Sequence, residues 1–529
     1  MRCKVSTHKA ITLRTVFTLT LTAAVACACW IGGAEPASAF FRMGGGAHFG
    51  GARMPSHTLG GRNSVRERGS GRISNGRRHA ELPNRGREGR TGRGIRFFPR
   101  HWIVGRPHHW IAGSGVAGGF GPGSVGPGGG GSGANGGGRI GGVPPAGEQR
   151  FVPDEVLVEF QPRVSPLTIA RFARVFNLTE LESRSFALLG GATFYRWRVA
   201  AGSSVPAMVA TLQNQVIVAG AQPNYLFALQ DEVSQARLGP AGDDAQYALR
   251  ALHIDEAQLI ATGKDVTVAV IDSEIEASHP DLAGSVKKKF DALGGAGKPQ
   301  SHGTAMAGAI AAHGKLLGIA PGTTIIAARA FDDSQGEAKG TSFAIYKGLQ
   351  WAADNGARVV NMSFVGPFDP DLRQMLAAAA GKDIVLVAAG GNGGPDSGPQ
   401  YPASDANVIA VAATDDKDGL FALDNRNAYI AVAAPGVDIL SLAPDDTYQV
   451  STGSSIATAH VSGIAALMLQ TRPSLKPRDV RAILTNTAKP LLVGENSSFE
   501  PRLVNAYLAV KSAETVVVSG GAGRQQAKR

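Results

Sequence analysis

Five near-continuous apolar runs recur in the second half of this 529-residue chain: VTVAVI (266–271), IIAARAF (325–331), ARVVNMSF (357–364), DIVLVAAG (383–390) and NVIAVAAT (407–414). A strand with one wet face alternates polar and apolar residues, so runs that are apolar at nearly every position need cover on both faces. Helical stretches lie between them, as in TSFAIYKGLQWAADNG (341–356), where Gly356 is placed to end a helix. This alternation predicts an α/β domain over residues 245–515, built on a doubly wound, mostly parallel sheet. Reacting groups on such sheets gather at the carboxyl ends of the strands.

A smaller unit precedes it. VLVEF (156–160) reads as a strand, SPLTIARFARVFNL (165–178) as a helix, FALLGGATFYRWRV (186–199) as two strands about a Gly-Gly turn, SSVPAMVATLQNQ (203–215) as a capped helix and PNYLFAL (223–229) as a last strand. The order β-α-β-β-α-β predicts a ferredoxin-like α+β module over 151–235. Gln230 to Gln246 is polar and suits an exposed, easily cut connection, and residues 516–529 read as a polar tail.

Composition separates these parts from the amino-terminal region. Residues 40–150 hold 33 of the 70 glycines, 17 Arg, no Lys and four acids, and so carry +13. The first 39 residues add +3, which leaves −5 of the total +11 for residues 151–529. The basic character is therefore that of an appendage, and it does not make the folded part a nucleic-acid binder. Sequence so rich in Gly and Arg buries too little apolar surface to offset its ordering entropy, so 40–150 is expected to be disordered. Its one patterned island, HWIVGRPHHWIAG (101–113), repeats His-Trp-Ile and reads as a sticky segment of a linker, with contact to an anionic surface as the alternative. The Gly131 to Gly136 match to GxGxxG has no strand before it and no helix after it, and carries no nucleotide reading.

Residues 1–39 read as a secretory signal peptide: Arg2, Lys4, Lys9 and Arg14 are basic, Val16 to Ala34 is uncharged, and Ala37-Ser38-Ala39 is a small-residue cleavage site. All three cysteines, Cys3, Cys27 and Cys29, lie inside it, so the processed chain is expected to have no disulfide. The expected location is secreted, extracellular or periplasmic.

Three motifs carry chemistry. Asp272 follows VTVAVI directly, His302 opens SHGTAMAGAIAAH (301–313), and Ser455 stands in GSSIATAHVSGIAALMLQ (453–470). Singly each has a plain reading: a strand-ending Asp, a structural His, a helix-capping Ser. An α/β-hydrolase would need Gly-x-Ser-x-Gly and the order Ser, acid, His, whereas here Ala457 takes the last motif position and Ser455 comes last. Together, with their flanks and in this order, Asp272, His302 and Ser455 resemble the subtilase family of serine endopeptidases.

The resemblance implies roles residue by residue. Ser455 would be the nucleophile, His302 the general base and acid, Asp272 the group that orients the imidazole, and Asn392 in AAGGNGG an oxyanion donor. Substrate would be bound by Ser363, Phe364, Val365 and Gly366 on one side and by Ala389, Gly390 and Gly391 on the other. Glu274 stands where the family usually has Gly, a source of strain if that position needs positive φ. Many subtilases hold calcium through the residue matched by Asp281, but the loop after the His302 helix is cut to His313-Gly314-Lys315-Leu316 and lacks oxygen ligands. No cofactor and no metal are expected, and His279, His313 and His460 have no ligand-like spacing. The module at 151–235 resembles the inhibitory propeptide of secreted subtilases. The expected partners are protein or peptide substrates and the chain's own propeptide, with no specific nucleic acid.

Overall fold

The computed structural model describes residues 140–230, 232–235, 246–332, 338–491 and 499–515. The expected signal peptide, most of the Gly/Arg-rich stretch and the polar tail lie outside these residues. Strand pairing is already present before Phe151: Ile140–Gly141 pairs in parallel with Gly220 and Ala221. Glu148 also accepts from the Arg150 backbone and side chain.

The first unit holds strands Phe151–Phe160, Thr179–Phe186, Ala192–Arg198 and Val218–Ala228, with helices Pro166–Val175 and Val205–Gln213. Each helix has a Pro in its first turn and a serine cap, Ser165 accepting from Thr168 N and Ser204 from Ala207 N. The last strand pairs with the first, the first with the third and the third with the second, all antiparallel. Period two sorts its side chains. Val156, Val158 and Trp197 turn to the unit's own helices, while Leu157, Phe186 and Phe194 turn the other way.

The second unit is built on parallel strands in the order Ile430–Pro435, Val408–Thr414, Val385–Ala389, Val359–Met362, Thr267–Asp272, Thr324–Arg329 and Val286–Asp291. Helices Ser301–Ala311 and Ser454–Thr471 cover one face; Ser342–Asp354 and Pro370–Gly381 cover the other. Chain direction across the sheet reverses between Thr267–Asp272 and Val359–Met362, so the crevice at the carboxyl ends opens there.

The two units share a core. Phe186 meets Phe343 and Tyr346 edge-on at 5.8 and 6.0 Å. Buried polar groups join them as well. Gln222 donates to Tyr346 Oη and to Asp369 Oδ1, both at 2.9 Å, and Phe343 N donates to Asn224 Oδ1 at 3.2 Å. Lys347 Nζ lies 2.8 Å from Glu182 Oε1.

Candidate active site

Asp272 ends the central strand fully buried, at the reversal point. Its Oδ1 accepts from Ser273 N at 2.7 Å and lies 2.8 Å from His302 Nδ1. His302 sits in the first turn of the Ser301–Ala311 helix, held against the strand end by Gly303 N donating to Ser273 Oγ at 2.9 Å. A side chain at 303 would place its Cβ 2.5 Å from the Ser273 carbonyl oxygen, so the approach that joins imidazole to carboxylate requires glycine. Glu274 is absent from the positive-φ residues, so the strain considered for that position does not arise. Its carboxylate pairs with Lys289.

Ser455 is the second residue of the long Ser454–Thr471 helix, among the first backbone N–H groups that have no partner within the helix. Its Oγ donates to Ser363 O at 3.3 Å, and Ser363 Oγ donates to Ser455 O at 2.9 Å. Behind them Asn361 Nδ2 donates to Ser363 Oγ and Ser462 Oγ donates to Asn361 Oδ1, each at 2.9 Å. Asn392 is oriented from its oxygen end: Oδ1 accepts from Ser454 N at 3.0 Å and Ser454 Oγ at 2.8 Å. That leaves Nδ2 as the donor, and it bonds the backbone carbonyl of Gln230.

Gln230 arrives there two residues beyond the last strand of the first unit, which lies between two segments of the second. On one side Leu226, Phe227 and Ala228 pair antiparallel with Thr341, Gly340 and Lys339. On the other, Ala228 and Val365 exchange both backbone bonds, at 2.9 and 3.0 Å. The cleft thus holds an extended peptide as a strand added to an edge.

Of the anticipated binding residues, Val365 contacts this peptide through its backbone, and Phe364 sets its ring edge-on to Phe227 at 5.8 Å. Gly366 lies against the same ring. Ala389 is buried, while Gly390 and Gly391 direct their N–H groups to Val411 O and Ser454 Oγ, so they shape the loop that carries Asn392. Sequence reasoning missed the opposite wall, Ala338 to Thr341, as well as Ser454, Asn361 and Ser462. Ser454 alone left a trace, as a hydroxyl beside the candidate nucleophile.

The calcium that the fold family implies at Asp281 does not fit the residues present. Asp281 is buried; Oδ1 accepts from Lys315 N at 3.0 Å, and Oδ2 from Leu316 N at 2.9 Å and Tyr448 Oη at 3.3 Å. The shortened loop spends its amides on the carboxylate that a cation would take. Among the described residues no three His, Cys, Asp or Glu are grouped to hold a metal.

Residues 263–510 match the subtilase family, and residues 140–224 match the fervidolysin N-terminal prodomain. Thermitase of Thermoactinomyces vulgaris is 36% identical over 280 residues, which is 51% of this chain and 98% of that protein. A thermophilic serine proteinase of Bacillus sp. (strain AK1) is 32% identical over 370 residues, 68% of this chain and 88% of its own. The crystal structure of fervidolysin from Fervidobacterium pennivorans, described as a keratinolytic enzyme related to subtilisin, superposes with a TM-score of 0.61 at 24% identity. That likeness covers 72% of this chain and 64% of that one, and it shows the shared fold. The chain is a member of the subtilase family of serine peptidases, with an amino-terminal prodomain.

Proposed function

We propose that this chain is a secreted serine endopeptidase made as a self-processing zymogen, with Asp272, His302, Ser455 and Asn392 as its catalytic residues. One observation carries the reading: the carbonyl of a peptide seated as an added strand meets the Asn392 amide in the cleft that Ser455 lines. With Nδ1 engaged by Asp272, His302 would act through Nε2. It would take the Ser455 Oγ proton as the oxygen adds to the carbonyl carbon. The oxyanion would be held by Asn392 Nδ2 and the Ser455 N–H. The C–N bond then breaks as His302 gives the proton to the leaving amine. Water, deprotonated in turn by His302, releases the acid and restores the hydroxyl.

The β-α-β-β-α-β unit is then a ferredoxin-like propeptide that inhibits by filling the cleft until it is cut. Residues 1–39 support export, and among the described residues no helix is long and apolar enough to cross a membrane. Asp281 and its amide partners support a site that works without calcium. Casein hydrolysis by the processed protein, its loss on treatment with a serine-directed acylating reagent, and its loss in Ser455→Ala are expected. Normal hydrolysis by Ser455→Ala would refute the assignment.

A further inference from the structure

We propose that the chain cuts itself after Gln230, and that the seats of Gln230 and Phe227 set the substrate class: peptides with glutamine at the cut and an aromatic residue three positions before it. The inference rests on the peptidase reading above. The register is fixed from both edges of the strand. Ala228 pairs with Lys339 on one side and with Val365 on the other, and the Gln230 carbonyl occupies the Asn392 amide. A slip of one residue would break these pairings and turn each side chain to the opposite face.

Two side chains are recognised in this register. Asn392 N donates to Gln230 Oε1 at 3.1 Å, so the first pocket presents a backbone donor to the side chain at the cut. A carboxamide answers that donor; leucine and lysine offer it no acceptor. Sites built around such a bond discriminate strongly against residues that cannot make it. Phe227 is 1% exposed, edge-on to Phe364, which itself lies 4.9 Å from Phe331. The room for that ring comes from Gly366, where a Cβ would fall 2.3 Å from Phe227 Cδ1.

In the cut, Ser455 Oγ bonds the Gln230 carbonyl carbon and its proton passes through His302 to the amine of Asp231 as that C–N bond breaks. Water then leaves Gln230 as a carboxylate and Asp231 as the first residue of the processed chain. N-terminal sequencing of wild-type protein at the earliest cleaved time point should read from Asp231. A first cut anywhere in 232–246 would overturn the register.

Fluorogenic peptides test the selection on the processed enzyme. Phe-Ala-Leu-Gln should be cut with kcat/KM at least tenfold above both Ala-Ala-Leu-Gln and Phe-Ala-Leu-Lys, and Gly366→Ala should shrink the Phe-over-Ala ratio. Equal efficiencies with intact casein hydrolysis would sink the specificity alone. Casein left untouched, with no acylation of Ser455, would sink the peptidase reading beneath it.

Discussion

Replacing Asp281 with Ala tests whether a carboxylate and two loop amides have taken over the task of a bound cation. The substitution removes the acceptor of Leu316 N, which is buried, and of Lys315 N, which is half-buried. A buried donor left without a partner costs about 1–3 kcal/mol, so the pair should cost about 2–5 kcal/mol after partial relaxation. For a domain of this size each kcal/mol moves Tm by about 2–4 °C, which gives a drop of about 4–20 °C. Thermal unfolding of the processed enzyme, held by a reversible inhibitor and scanned at one fixed rate, measures it with EDTA and with excess calcium. Wild type should melt alike in both, and the variant should melt low in both. A wild type that loses comparable stability in EDTA, or an Asp281→Ala variant that melts like wild type, would refute the argument.

Asn392→Ala should lower turnover by about 10²–10³, a magnitude carried over from an oxyanion donor of subtilisin itself, while KM changes little; unchanged turnover would count against the donor role. Gln222→Ala removes two buried bonds, one to the Asp369 carboxylate, and should loosen the prodomain by about 10- to 100-fold. The lag before activity appears should shorten accordingly, and an unchanged lag would show that the contact does not hold the units together. Burial pushes the His460 imidazole down to about 4, against its bond to Pro435 O. The unfolded chain takes up that proton below a pH of about 6.5 and the folded chain only near pH 4. About 3 kcal/mol of stability present above pH 6.5 is therefore lost as pH falls between them. His460→Asn, which retains a donor for Pro435 O, should lose less between pH 7 and pH 4, as read by denaturant unfolding.

Local pattern carried much of this molecule. Runs such as VTVAVI and NVIAVAAT read as strands covered on both faces, and the pattern of 341–356 as one of the helices that cover them. Asp272 and His302 were legible because each sits at an element's end that its own neighbours define, and Ser455 because its helix begins beside it. What stayed hidden depends on partners distant in the chain. Ile140–Gly141 reads as glycine-rich linker until Gly220 and Ala221 offer it an edge. Lys339–Thr341 is too short to read as a strand and becomes one wall of the cleft only when Leu226 to Ala228 pair with it. Glu274 looked strained by analogy, yet the backbone takes an ordinary conformation there.

Sequence alone determined the layered α/β architecture, the order of the small unit before it and which side chains to propose as reacting groups. These follow from periodicity, caps and motifs that act over a few residues. Tertiary structure decided which way Asn392 turns its amide, that Asp281 is answered by loop N–H groups, and which carbonyl rests in the cleft. Each is a hydrogen-bonding choice among groups scores of residues apart, settled only when the packed sheet brings them within about 3 Å.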